Sequence, residues 1–139
     1  MAFSIDWLRK LRTKKAAPLT GAPQPRRLKS YSSASGYVYQ YFYEGHRAAD
    51  IGEPATEYVY SVSSNRKTYF PVSVFEPAAA IDSWQRDHTR TLSATEQYAV
   101  AKMALLQAFD EREKPERMRE PVHVRRADLD LIIEILGLE

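Results

Sequence analysis

Seven consecutive residues, Tyr37-Val38-Tyr39-Gln40-Tyr41-Phe42-Tyr43, constrain this chain most. Aromatic and β-branched side chains fit a pleated, half-buried surface better than a helix, so the run predicts a β-strand. A single strand is unstable in water and needs partners. Two follow at hairpin distance, Glu57–Ser63 and Thr68–Phe75, joined by a turn near Asn65-Arg66. Alternation puts Val38 and Phe42 on one face of the first strand and Tyr37, Tyr39, Tyr41 and Tyr43 on the other. Tyr58 and Tyr60 alternate likewise on the second strand, and Phe70, Val72 and Val74 on the third. Glu44-Gly45 is expected to end the first strand, with a loop over 46–55 that contains Gly52 and Pro54.

Helical spacing takes over after residue 76. Pro77 suits a first helical turn, and Ile81 and Trp84 share its buried side. Ser93-Ala94-Thr95-Glu96 has the form of a capping box, so a helix starts at Ala94. Tyr98, Ala101, Leu105, Ala108 and Phe109 then recur at helical spacing to about Glu111. A charged loop around Pro115 is expected over 112–120, with a short strand at Pro121–Val124. The last helix, Ala127–Leu136, carries a stripe of Leu129, Ile132, Ile133 and Leu136, and Gly137 supplies its stop. The expected fold class is α+β, an antiparallel meander of three to four strands packed on one face by about three helices. Residues 36–139 are expected to form that single domain.

Charge divides the chain just ahead of it. Residues 1–31 carry eight Lys/Arg against Asp6 alone, whereas 32–139 hold 12 Lys/Arg and 17 Asp/Glu. The overall +2 therefore conceals a basic leading segment on an acidic body. Phe3, Trp7 and Leu11 fall on one helical stripe with Leu8 beside them, while Pro18, Gly21, Pro23 and Pro25 break any helix beyond. Residues 1–35 thus read as a basic amphipathic helix plus a Pro-containing linker. Such a helix is too short to hold alone and folds against a surface.

The residues also exclude chemistries. With no cysteine, the chain has no disulfide, thiolate nucleophile, Cys-ligated zinc or iron–sulfur cluster. No apolar run approaches the ~20 residues of a membrane-spanning helix. The apolar residues at the start fall before and between the charges, unlike a secretory signal. Its five glycines form no phosphate-binding loop, and His46, His88 and His123 lack the spacing of metal ligands. In Trp84-Gln85-Arg86-Asp87-His88-Thr89-Arg90, adjacent Asp87 and His88 point apart on a helix, so the cluster reads as a solvated helix end. No catalytic residue, metal or cofactor is expected.

The expected function is that of a non-catalytic interaction or adaptor protein. Phe3, Trp7, Leu8 and Leu11 supply apolar contact, and Arg9, Lys10, Arg12, Lys14 and Lys15 the electrostatic part, toward a partner's groove or an anionic membrane surface. Tyr37, Tyr39, Tyr41, Tyr43, Tyr58 and Tyr60 form a sheet face for contact with a protein partner or a second copy. Single-stranded nucleic acid stacking on that face is the second reading, disfavoured because Arg47 is the only Lys/Arg between Ser32 and Val62. A small enzyme centred on His46 or His88 is the third. The expected location is cytoplasmic, peripheral at a membrane, with an organellar targeting segment as the competing account of 1–35.

Overall fold

The computed structural model describes residues 16–138. Five strands follow one another across a single sheet in chain order: β1 (Lys29–Ser32), β2 (Val38–Asp50), β3 (Pro54–Ser63), β4 (Phe70–Pro77) and β5 (Val122–His123). The first four are antiparallel, and β5 joins β4 in parallel at Val74↔Val122 and Phe75↔His123. Three helices, α1 (Ala78–His88), α2 (Ala94–Glu111) and α3 (Arg126–Leu136), and a 3-10 turn at Pro115–Arg119 complete the described residues. The α+β class is as expected. The purely antiparallel meander is not, because α1 and α2 carry the chain over the sheet before β5 and so return it in the same direction as β4.

Strand count also differs, and β1 lies inside 16–35, where a linker was expected. Its sequence, Lys29-Ser30-Tyr31-Ser32, shows little apolar alternation. Tertiary contacts hold it instead. Tyr31 packs on Phe109 with ring centroids 6.0 Å apart, and its hydroxyl donates to Asp110 Oδ2 at 2.9 Å. In the following turn Ala34 N–H donates to Asp110 Oδ1 at 2.8 Å and Ser35 Oγ to the Phe109 carbonyl at 2.8 Å. The β1–β2 hairpin thereby clasps the end of α2.

The second correction concerns β2, which continues through Glu44-Gly45 to Asp50. Pairing with β3 steps from Tyr43↔Tyr60 to Gly45↔Val59, leaving Glu44 as the extra residue of a bulge. A bulge moves every later side chain to the other face. Tyr39 and Tyr41 point to the helices before it, and His46, opposite Tyr58, points there after it.

One core lies between that face and the helices, where Trp84, Phe109, Leu105, Leu129, Ile132 and Ile133 meet Tyr39, Tyr60, Val62 and Val72. Each large side chain taken from water contributes about 1.5–3 kcal/mol, so this layer, and not helix propensity, holds the fold. The expected charged loop at 112–120 is built around one guanidinium: Arg112 donates to the carbonyls of Arg117, Glu120 and Pro121 at 2.7–2.9 Å.

Candidate functional site: paired clefts along the edge of β2

Ahead of β1, the chain is already fastened to the sheet. Thr20 and His46 exchange both backbone hydrogen bonds, at 3.0 and 2.8 Å. Two glycines allow that approach. A Cβ on Gly45 (φ +126°) would meet the Thr20 carbonyl at 2.7 Å, and one on Gly21 (φ +87°) would meet the His46 ring at 2.7–2.9 Å. Residues 21–28 must therefore arc from Thr20, opposite His46, to Lys29, opposite Tyr41. Two adjoining clefts open between the arc, β2 and α2.

The first, of about 520 Å³, is walled by Tyr43, His46 and Tyr58 from the sheet, Tyr98 from α2 and Pro23 from the arc. Its rings sit close: Tyr43–Tyr98 4.8 Å, His46–Tyr58 5.8 Å and Tyr58–Tyr98 6.2 Å between centroids. The Tyr43 hydroxyl and His46 Nδ1 are hydrogen-bonded at 3.0 Å. Burial pushes the Tyr43 phenol up to about 12, with Tyr98 adding to it, and burial raises Tyr58 further still. Both phenols therefore stay neutral at physiological pH. The first turn of α2 closes this cleft and is fixed by the expected capping box: Ser93 Oγ accepts from Glu96 N–H at 3.1 Å, and Glu96 Oε1 from Ser93 N–H at 2.9 Å.

Behind the wall stands Glu76, opposite Thr56 in the β3–β4 register. It is 1% exposed, neither carboxylate oxygen has a hydrogen-bond partner, and burial lifts its pKa to about 8.

The second cleft, of about 380 Å³, shares Tyr43, Tyr98 and Pro23 with the first and adds Arg27, Lys29 and Lys102. Lys102 lies one helical turn beyond Tyr98, so both side chains reach the same edge. Among the described residues none of the three cations has an ion-pair partner. Burial lowers the Lys102 pKa, and the neighbouring Lys29 charge lowers it again. Arg26 pairs with Glu44 at 3.1 Å and lies over Phe42, which also lines this cleft.

The tyrosine face is a correction to the sequence expectation. Tyr39 and Tyr60 are 0% exposed and Tyr41 and Tyr58 5%, because α2 covers the face on which they alternate. Tyr39 stacks on Phe109 at 4.3 Å. Tyr37, at 39% exposure, and the edge of Tyr43 remain at the surface. Phe3, Trp7, Leu8, Arg9, Lys10, Leu11, Arg12, Lys14 and Lys15 lie outside the described residues. His88 stacks on Trp84 at 4.3 Å, whereas Asp87 pairs with Arg126 at 2.8 Å, so these neighbours serve different partners. His123 is exposed and stacked on Phe75 at 5.4 Å. Only His46 of the three histidines lines a tyrosine-walled cleft, and the signal for it was a glycine within an apolar strand pattern, which marks a bulge.

No family model, curated protein or solved structure matches this chain.

Proposed function

We propose that the chain is a non-catalytic interaction protein whose basic N-terminal segment docks on an anionic surface while its folded body offers the paired clefts to a partner. The division of charge carries this reading: five Lys/Arg and one Asp precede residue 16, ahead of a body whose residues 32–139 are acidic in balance. Fastening of Thr20 to His46 supports it, because the five cations all precede the sheet's first anchor. The first cleft suits binding in preference to proton transfer. Tyr43 and Tyr58 remain protonated, and Tyr43 and His46 occupy one another. Burial of four of the six tyrosines removes the platform on which a nucleic acid would stack.

Co-sedimentation of the full chain with phosphatidylserine vesicles and with neutral phosphatidylcholine vesicles tests the reading. A cation near an anionic membrane contributes about 1 kcal/mol. Replacing Arg9, Lys10, Arg12, Lys14 and Lys15 together with Gln is therefore expected to weaken anionic-vesicle binding by roughly several thousandfold. High salt is expected to release the unaltered chain. Equal pelleting of both chains, or none by either, overturns the proposal.

A further inference from the structure

Like charges crowd where a fold has something to hold with them, since without a counter-ion they repel and each loses hydration. Several cations elsewhere on this body are matched, although Arg66, Lys67, Arg86, Lys114 and Arg119 also lack an ion-pair partner among the described residues. Arg126 lies between Asp87 and Asp130 at 2.8 and 2.9 Å, Arg125 meets Asp128 at 3.1 Å, and Arg90 meets Glu96 at 2.6 Å. What sets the second cleft apart is that three cations and no acid line it. Arg27, Lys29 and Lys102 converge on it, and the acids nearest along the chain are engaged elsewhere. Glu44 holds Arg26 and accepts from Ser61, while Asp110 accepts from Tyr31 and Ala34.

We propose that the cleft bounded by Arg27, Lys29 and Lys102 binds a phosphate monoester, with the phosphate among the three cations and the ester's organic group against Tyr43 and Tyr98. Three cations, one of them a guanidinium fork, suit a dianion with three terminal oxygens better than a carboxylate with two. The ester, and not free phosphate, follows from the aromatic rings that border the cations. The 380 Å³ cationic cleft and the 520 Å³ aromatic cleft share Tyr43 and Tyr98 as a common wall. A ring attached to the phosphate packs against Tyr43 and Tyr98 on that wall. The arc through Pro23 roofs both clefts, and its position depends on the close Gly21–His46 contact. This inference stands on the cleft alone and not on the basic N-terminal segment.

Isothermal titration of the full chain with phenyl phosphate and with inorganic phosphate tests it. Phenyl phosphate is expected to bind severalfold tighter than inorganic phosphate. Lys102→Gln is expected to weaken it at least tenfold, and Lys29→Gln, on an exposed edge strand, gives an independent check should the helix substitution disturb folding. The chain with Gln at positions 9, 10, 12, 14 and 15 is expected to bind phenyl phosphate unchanged, which separates this site from the proposed docking segment. That same chain, pelleted with vesicles containing phosphatidylinositol 4-phosphate in a Lys102-dependent way, identifies a lipid headgroup as the source of the ester. Absence of pelleting with phenyl phosphate binding intact identifies a soluble one. No heat with either phosphate at millimolar concentration, or equal affinity in both lysine variants, overturns the proposal.

Discussion

Glu57 and Glu76 occupy neighbouring strands of one sheet, at 9% and 1% exposure, and point to opposite faces. On the outer face, Arg47 Nε donates to Glu57 at 2.8 Å and Ser73 Oγ donates to its other oxygen. Burial acts to raise the Glu57 pKa, but these hydrogen bonds and the Arg47 charge outweigh it and hold the carboxyl below its usual range. On the helix-covered face, Glu76 has no partner, and burial alone lifts it to about 8. The same division extends further. Arg126 at the α1–α3 end has two acids, whereas Lys102 at the cleft has another cation. Polar groups left uncompensated are costly, so their gathering along the helix-covered face and cleft marks where this fold gives up stability.

Removing the Glu76 charge sharpens the contrast most. In the unfolded chain this carboxyl ionises near 4.5, whereas the folded chain keeps its proton to about 8. Stability is therefore complete below the unfolded value and declines as pH rises toward 8. Glu76→Gln is expected to match the unaltered chain near pH 4 and to exceed it by on the order of 4 kcal/mol at pH 8. Urea unfolding across that range measures the gap, and a gap independent of pH contradicts the assignment.

Arg47→Met acts in the opposite sense, stranding a carboxylate that is mostly out of water. A loss of about 2 kcal/mol is expected at neutral pH. Because the folded Glu57 pKa is depressed, the contribution of the pair is present above the unfolded value and disappears as pH falls through the folded one. Destabilisation that persists in full at acid pH would assign the effect to packing instead. Smallest of the three is Tyr39→Phe, which deletes a buried hydroxyl with no partner. Thermal unfolding is expected to show a gain of about 1 kcal/mol. A loss would reveal a bonded hydroxyl.

Much of the fold was legible where one local pattern had one physical meaning. The Ser93–Glu96 box placed the start of α2, and Gly137, in the left-handed region at φ +69°, ended α3 as expected. Alternation placed Phe70, Val72 and Val74 on one buried face. It failed where the sheet was made by distant contacts. β1 depends on Phe109 and Asp110, some 75 residues away. Gly45 looked like a strand terminator because a glycine serves both a stop and a bulge, and only the Thr20 approach decides between them. The tyrosines were paired with the correct face, but nothing in a period of two says which face a helix covers. The cationic cleft was illegible for the same reason: Arg27, Lys29 and Lys102 belong to an arc, an edge strand and a helix, and only the docked arc brings them together.

The claim that these cations are kept for a ligand and not for the fold is tested most directly by the thermal unfolding of full-length Lys102→Met in phosphate-free buffer. Relief of the repulsion from Lys29 and of a half-buried charge is expected to raise Tm by a few degrees, roughly the shift that accompanies a gain of 1 kcal/mol in a domain of this size. A Tm lowered by the substitution would show that Lys102 serves the structure itself and would contradict the account.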